Sequence, residues 1–291
     1  MFRRLRATSS GSRFLVLCPA TSRRAVPMLA ARVPTVALSS PRRHIRGKTS
    51  IASKKPAALV VAARVVATRA MPEGPYPELA VFDLDACFWD EEMYTLRDIV
   101  DPARSVRGNI GNGVGEGVVS AMSGNTAITI NPGALRALQD FHAGKYPGMR
   151  IAAASSADTP LAVRIGRSAL DVLEIVPGVT ARAVFAIGWP EGFDGNMQIG
   201  RTPPLSSNKS QTHFPILRRE TGVGYDRMLF FDDCNWGDHC AAVANGCRDE
   251  MTGLGPVVVR TPRGLQVAEW EKGLELYRER VAKFAPAEPP L

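Results

Sequence analysis

The chain has 291 residues and a formal net charge of +8, but this charge is distributed unevenly along it. Residues 1–70 contain 15 of the 36 Lys and Arg and none of the 28 Asp and Glu, so the remaining 221 residues carry a net charge of −7. An acidic body repels a polyanion, which argues against nucleic-acid binding. No stretch approaches the roughly 20 apolar residues of a membrane-spanning helix, which argues against a membrane protein.

Residues 1–70 have the composition of an organellar transit peptide, because they are rich in Arg, Ser and Ala and contain no acid. We expect this segment to be disordered and to be removed in a chloroplast or a mitochondrion, and the composition does not separate the two. The alternative is a disordered basic arm that binds nucleic acid. Met71 could also start a shorter cytosolic form. Sequencing the N-terminus of the native protein tests the expectation, since a full-length N-terminus would contradict it.

Residues 71–285 are predicted to form one α/β domain, followed by a disordered tail at 286–291. Short apolar runs in this body are typical of strands buried on both faces of a parallel sheet. These runs are 79–82, 151–154, 184–187, 228–231 and 257–259. Helical patterns lie between them, at 132–142, 160–173 and 214–221. The alternation predicts a Rossmann-like parallel sheet with helices on both faces.

Cap residues mark two of these helices. Asn131 precedes the first of them as a predicted N-cap, with Pro132 in its first turn. Gly222 follows the helix at 214–221 as a predicted C-cap.

A glycine-rich stretch at 108–124 interrupts the α/β pattern with six glycines. A phosphate-binding loop needs a strand before it and a helix after it, and no strand pattern precedes this stretch. We therefore predict a flexible insertion here. The residues between Trp89 and Thr126 are numerous enough only for a modest flap, so any cap over the sheet should be small or absent.

Polar side chains follow three of the predicted strands. Asp83 and Asp85 follow the first strand, Ser155 follows the second, and the pair at 232–233 (Asp-Asp) follows the fourth. The carboxyl ends of parallel strands meet at one edge of the sheet, where ligands bind. Four carboxylates at one edge repel each other, and a divalent cation with oxygen ligands, Mg²⁺, relieves that repulsion. Together with Lys209 in a nearby loop, these carboxylates and the Ser155 hydroxyl indicate a site for phosphoryl transfer.

These residues resemble the motifs of the haloacid dehalogenase superfamily. The segment 82–87 reads FDLDAC and is similar to the first motif, Asp-x-Asp-x-Thr/Val. Ser155, Lys209 and the Asp-Asp pair at 232–233 fall at the second, third and fourth motifs, in order. The resemblance narrows to the magnesium-dependent phosphatase (acid phosphatase-like) family, on AAAS at 152–155, THF at 212–214 and FFDD at 230–233. It covers roughly residues 77 to 280.

The resemblance implies a role for each motif residue. Asp83 would attack phosphorus and become an aspartyl-phosphate, and Asp85 would act as general acid and then general base. Ser155 and Lys209 would bind the phosphoryl group. The implied Mg²⁺ ligands are the Asp83 carboxylate, the Asp85 main-chain carbonyl, Asp232 and Asp233. With a small cap or none, the site should be open, which suits a phosphorylated protein or a small phosphate ester. The sequence does not distinguish phosphotyrosine, sugar phosphate and glycated-amine phosphate.

Three departures from the family pattern keep a second reading open. Cys87 stands where the first motif usually has Thr, Cys234 stands where the family tends to have Glu, and Lys209 lies one residue further from 212–214 than expected. A catalytically degenerate binding protein is therefore the alternative. A response-regulator receiver domain is disfavoured, because its adjacent acids come first in the chain and its Lys comes last.

The remaining expectations concern residues outside the motifs. The body has four cysteines and no C-x-x-C pair, which predicts reduced thiols rather than a zinc ribbon or a redox motif. His213 and His239 could reach the site, but the mechanism needs neither, and we predict that both are structural. Trp89 either packs or lines a substrate pocket. With no second domain, we expect a monomer.

Overall fold

The computed structural model of the protein describes residues 76–284. The predicted transit peptide at 1–70 and the predicted tail at 286–291 lie outside the described residues. Among the described helices, none combines the length and the apolar character that crossing a bilayer requires.

Strands and helices alternate through most of the described chain. The strands are β1 (Leu79–Phe82), β2 (Val100–Asn109), β3 (Glu116–Ser123), β4 (Thr126–Thr129), β5 (Arg150–Ser155), β6 (Glu174–Val176), β7 (Val179–Thr180), β8 (Met197–Ile199), β9 (Met228–Asp232) and β10 (Val257–Arg260). The α-helices are α1 (Pro132–His142), α2 (Pro160–Val172), α3 (Ala181–Phe185), α4 (His213–Thr221), α5 (His239–Gly246) and α6 (Val267–Phe284).

The central sheet has five strands in the order β10-β9-β1-β5-β8, and every neighbouring pair is parallel. β1 lies in the middle, and its four residues are all buried. Successive side chains of a strand point to opposite faces, so Ala80 and Phe82 pack into one core cluster while Leu79 and Val81 pack into the other. This confirms the predicted Rossmann-like α/β fold.

Helices cover both faces of the sheet. On one face, α1, α2, α3 and α6 surround an aromatic cluster in which Phe82 stacks on Phe231 with ring centroids 5.7 Å apart, and Trp270 of α6 lies against both rings. On the other face, Phe214 of α4 meets Phe230 edge-on at 4.8 Å. Such clusters stabilise the fold because they bury apolar area and because their rings meet in favourable edge-on or stacked arrangements.

One predicted strand is wrong. Residues 184–187 were expected to form a strand of the parallel sheet, but Val184 and Phe185 lie in the short helix α3. The helix begins because the Thr180 side chain accepts a hydrogen bond from the Ala183 amide, which caps its first turn. A short apolar run does not by itself separate a strand from a buried helix. The fifth strand of the sheet is instead β8, a three-residue edge strand that pairs with β5.

The predicted helices at 132–142, 160–173 and 214–221 are confirmed as α1, α2 and α4, to within a residue at each end. Gly222 ends α4 in the left-handed region, with φ of +70°, as a C-cap. Asn131 occupies the N-cap position of α1 but makes no side-chain cap. Its amide instead donates to the Cys87 carbonyl, which ties the start of α1 to the segment that follows β1.

The glycine-rich stretch differs from the prediction of a flexible insertion. It forms the end of β2, the turn that follows and β3, within an antiparallel sheet in the order β2-β3-β4 that contacts α2 and β6. Gly111 and Gly113 lie in the turn between β2 and β3 with φ of +91° and +76°, a conformation that glycine adopts without steric cost. This sheet is the only insert of its size between β1 and α1, so the expectation of a small cap or none holds for the described residues.

Candidate active site

The register of the central sheet brings the first and last motifs together. Phe82 of β1 lies opposite Phe231 of β9, so the next residues, Asp83 and Asp232, lie side by side at the carboxyl edge. The Asp83 amide donates to the Phe231 carbonyl at 2.9 Å, which fixes where the chain leaves β1. Asp83 is 6% exposed and Asp232 is fully buried. Two carboxylates therefore meet in a dry environment, where their charges need a partner.

Lys209 supplies that partner. Its Nζ lies 2.7 Å from Asp83 Oδ1 and 2.6 Å from Asp232 Oδ2, and its side chain is 1% exposed. The loop before α4 holds it there, because Thr212 Oγ1 donates to the Asn208 carbonyl and the Asn208 side chain accepts from the Ser210 amide. The extra residue between Lys209 and the segment 212–214 therefore does not prevent the ammonium from reaching the site.

Asp83, Asp232 and Asp233 form a cluster that can hold a metal ion, since one carboxylate oxygen from each lies within 4.8 Å of the other two. With Lys209, the three acids carry a formal charge of −2 when all four groups are ionised. A divalent cation balances that charge, and a set of hard oxygen donors suits Mg²⁺ or Ca²⁺ better than a softer metal. The residues present thus fit the predicted magnesium.

The protonation of the cluster reflects its burial. Burial raises the pKa of Asp83 well above its ordinary value, and the neighbouring acids add to the rise while Lys209 opposes it. Burial alone would raise the pKa of Asp232 too, but Lys209 and His239 outweigh it and hold that pKa below the ordinary value. Burial would lower the pKa of Lys209, but Asp83 and Asp232 raise it, so the ammonium stays charged. The pKa of a lone buried lysine falls, whereas the pKa of this lysine, which is paired with two carboxylates, rises.

Asp85 has a different environment from the cluster. Its carboxylate accepts hydrogen bonds at 3.2 Å from Trp89 Nε1 and from the Met93 amide. Ala86, the residue after it, has a φ of +52° and makes the sharp turn that directs the chain away from the sheet. Burial, and then repulsion from Glu92, raise the pKa of Asp85 to about 7. A carboxyl that titrates near neutrality can both give and take a proton.

Trp89 packs in the core and also donates a hydrogen bond to the Asp85 carboxylate. It is fully buried, and it lies edge-on to Phe88 with ring centroids 5.7 Å apart. It does not line the pocket described below.

Ser155 ends β5, the other neighbour of β1, and is 1% exposed. Its main-chain carbonyl accepts from the Gly200 amide at 2.9 Å and lies 3.0 Å from His213 Nε2. The next residue, Ser156, has a buried hydroxyl with no hydrogen-bond partner among the described residues. Both serines line the pocket, so the end of β5 forms part of its wall.

His213 supports this strand end and does not line the pocket. Its ring is fully buried between the Ser155 carbonyl and Thr212 Oγ1, 3.1 Å from Nδ1. Burial, with the positive charge of Lys209, lowers its pKa from 6.5 to about 4. The prediction of a structural role fits this geometry.

We expect His213 to make the free energy of unfolding depend on pH. Because its pKa is depressed in the folded state, its contribution is fully present above pH 6.5 and is lost as the pH falls toward 4, by about 3 kcal/mol. Urea unfolding at pH 7 and pH 4.5 measures this, with His213→Gln as the non-titrating control. Parallel losses of unfolding free energy in the two proteins would show that another group is responsible.

One pocket, with a volume of about 230 Å³, opens above these residues. Five of its lining residues were predicted from the sequence, namely Asp83, Asp85, Ser155, Lys209 and Asp233. Asp232 is buried and does not line the pocket itself. Its carboxylate contacts two residues that do, Lys209 and His239. The small sheet β2-β3-β4 contributes no residue to the lining.

Sequence reasoning missed the residues around the pocket mouth. These are Glu92, Tyr94, Ser156, Ala157, Asp158, Arg201, Trp236 and His239. His239 was expected to be structural, but it lines the pocket with Nδ1 3.3 Å from Asp232 Oδ2. The one available signal was proximity along the chain, since Glu92 and Tyr94 follow Asp85 closely and Trp236 follows Asp233 closely.

The two cysteines that depart from the family pattern have distinct positions. Cys87 is fully buried, and Thr261 Oγ1 donates to its sulfur at 3.2 Å, so a small side-chain hydrogen bond remains at this position. Cys234 has a φ of +58°, and its amide donates to Asp232 Oδ1 at 2.8 Å. Neither side chain lines the pocket, and both are free thiols.

Comparison with known proteins assigns this site to a family. The family model described as Acid Phosphatase matches residues 75–280, which include every predicted site residue. No curated protein matches the chain. The matched span covers more than half of the sequence and contains the sheet, the pocket and the acidic cluster. The chain therefore belongs to the acid phosphatase family, a phosphatase family of the haloacid dehalogenase superfamily.

Proposed function

We propose that the protein is a Mg²⁺-dependent phosphomonoester hydrolase that acts through an aspartyl-phosphate at Asp83. One observation carries the proposal. Asp83 lies on the pocket floor with its carboxylate 2.7 Å from the buried ammonium of Lys209, and Asp85, with a pKa of about 7, lines the same pocket two residues later. A nucleophile with a fixed cation and an adjacent proton donor is the minimum that stepwise phosphoryl transfer requires.

The first half-reaction transfers the phosphoryl group to the protein. A carboxylate oxygen of Asp83 forms a bond to phosphorus while the bond from phosphorus to the ester oxygen breaks. Asp85, in its protonated form, gives its proton to the departing oxygen. The ammonium of Lys209 opposes the rise in the pKa of Asp83 and offsets the charge that develops on the phosphoryl group.

The second half-reaction releases phosphate. Asp85, now ionised, takes a proton from a water molecule whose oxygen bonds to phosphorus. The bond between phosphorus and Asp83 breaks, which restores the carboxylate and frees inorganic phosphate. Ser155 ends β5 and lines the pocket, where its hydroxyl group would donate to a phosphoryl oxygen. Both half-reactions therefore use the same proton carrier in opposite directions.

Asp83, Asp232 and Asp233, with the main-chain carbonyl of Asp85, would hold Mg²⁺. When bound, the ion supplies positive charge that neutralises the acids and the phosphoryl oxygens. The support for this assignment is the buried cluster of three acids and its formal charge of −2.

The open pocket supports a substrate that projects from a larger body or is itself small. Because the β2-β3-β4 sheet does not line the pocket, a phosphorylated side chain of a protein and a small phosphate ester both have access. We propose this pair of substrate classes, a monomeric enzyme, and an organellar location that follows from the acid-free segment at 1–70.

Hydrolysis of p-nitrophenyl phosphate tests the proposed function. We expect p-nitrophenol release in the presence of Mg²⁺, a fall of at least about tenfold on addition of EDTA, and recovery when Mg²⁺ is restored in excess. Circular dichroism in both buffers shows whether EDTA acts on the fold instead. A folded protein that releases no p-nitrophenol would favour the alternative, a catalytically degenerate binding protein.

A further inference from the structure

Two aromatic side chains stand at the mouth of the pocket. Trp236 lies in the loop after β9, and Tyr94 lies in the single 3₁₀ turn (Met93–Thr95) that follows β1. Their rings meet edge-on with centroids 5.9 Å apart. Trp236 Nε1 also donates to Glu92 Oε1 at 3.1 Å, which links the two segments across the mouth. We call Trp236 and Tyr94 the aromatic ledge.

The fold does not account for the aromatic ledge. Trp236 is 72% exposed and Tyr94 is 40% exposed, and neither belongs to a core cluster. Large apolar side chains left in water are informative, because exposing them forgoes the free energy that burial would give. The single polar atom of the indole already donates a hydrogen bond to Glu92, so it is the exposed apolar ring that is available to contact a ligand.

The position of the aromatic ledge indicates which part of a bound substrate it could contact. The two segments that carry it begin at the ends of β1 and β9, the strands that carry Asp83 and Asp232. Both rings line the pocket whose floor holds the nucleophile and the lysine. A phosphate ester bound at the floor must direct its leaving group outward, toward the mouth. An aromatic ring there offers a planar apolar surface, and such surfaces favour other planar groups.

We propose that Trp236 and Tyr94 determine specificity by contacting the leaving group, and that they select phosphate esters whose leaving group is a planar apolar ring. The proposal rests on the proposed function and names the substrate class for the same site. Ring contacts of this kind correspond to a preference of about three- to tenfold. The ring could belong to a small molecule or to a phosphorylated aromatic side chain of a protein, and the chemistry is the same.

The test compares benzyl phosphate with ethyl phosphate, since both esters release a primary alcohol and differ chiefly in the ring. The measured quantity is the ratio of kcat/KM for the benzyl ester to kcat/KM for the ethyl ester, in the full-length protein with Mg²⁺. We expect this ratio to fall about three- to tenfold in Trp236→Ala and in Tyr94→Ala. Trp236→Phe and Tyr94→Phe keep a ring and should keep most of the ratio.

Matched controls separate the aromatic ledge from other effects. Met251→Ala removes another exposed apolar side chain, one that does not line the pocket, and should leave the ratio unchanged. An unchanged ratio in both alanine variants would overturn the proposal. So would an equal fall in Trp236→Phe and Trp236→Ala, because the hydrogen bond to Glu92 would then be responsible. If the unmodified protein hydrolyses neither ester, the proposed function itself fails, which is distinct from hydrolysis without a ring preference.

Free phosphotyrosine and a phosphotyrosyl peptide, assayed in the same variants, identify the source of the ring. The substrate whose hydrolysis falls more in Trp236→Ala is the source that the ledge contacts. Hydrolysis of both at unchanged rates in that variant would contradict the proposal.

Discussion

Replacing Asp83 with Asn should lower kcat by at least about a thousandfold while leaving the protein folded. The amide has nearly the shape of the carboxylate, so packing at the end of β1 is kept, but it does not attack phosphorus. Lys209 keeps Asp232 as an ionic partner in the variant, 2.6 Å away, so no buried charge is left alone. Initial rates of p-nitrophenyl phosphate hydrolysis, with thermal unfolding of the same samples, measure both parts of the prediction.

The matched control for this prediction is Asp171→Asn. Asp171 is exposed on α2 and does not line the pocket, so the same change of charge there should alter kcat less than about twofold. If Asp83→Asn retains activity within tenfold of the unmodified protein, the covalent mechanism is wrong.

Replacing Lys209 with Met should both destabilise the protein and inactivate it. The change leaves Asp83 and Asp232 buried without the ammonium that lies 2.7 and 2.6 Å from them. Removing one member of a buried ion pair costs about 3–5 kcal/mol, because the remaining charge is left without compensation. Urea unfolding at pH 7 in EDTA measures the free energy of unfolding without any contribution from a bound cation. We expect kcat to fall at least about a hundredfold, because the phosphoryl group loses the buried positive charge that offsets its developing negative charge.

Lys145→Met provides the comparison for Lys209→Met. Lys145 also pairs with an aspartate, at 2.6 Å from Asp140, but its side chain is 52% exposed. Exposed ion pairs contribute at most about 1 kcal/mol, so this variant should lose little stability and no activity. Equal losses of unfolding free energy in the two variants would mean that burial does not govern the Lys209 pairs.

The parts of the site that the sequence predicted share a physical reason. Asp83, Ser155 and Asp232 each follow a short apolar run, and parallel pairing brings the ends of such runs to one edge whatever the length of chain between them. Strand identity and strand end are local properties, so local patterns were sufficient. Lys209 was harder, because its reach depends on the hydrogen-bonded loop that precedes α4.

The parts that were missed depend on tertiary structure. The run at 184–187 has the composition of a strand, and only its place beside a Thr180 cap makes it helical. β8 is three residues long and gives almost no periodic signal. The pocket mouth is built from loops, whose paths are set by contacts such as the one between Trp236 and Glu92, across 144 positions of sequence. No pattern in the sequence around Trp236 indicates that contact.

The central place of β1 has a consequence for how the protein is made. β1 is the first strand of the described chain to leave the ribosome, yet β5 and β9, its neighbours in the sheet, come about 70 and 150 positions later. Asp83 is therefore synthesised about 150 positions before Asp232, its acidic partner at the end of β9. Pairing over such separations is slow compared with helix formation, because a long loop must close before the contact stabilises anything. A nascent chain that ends before β9 lacks Asp232 and Asp233 and therefore has no complete acidic cluster.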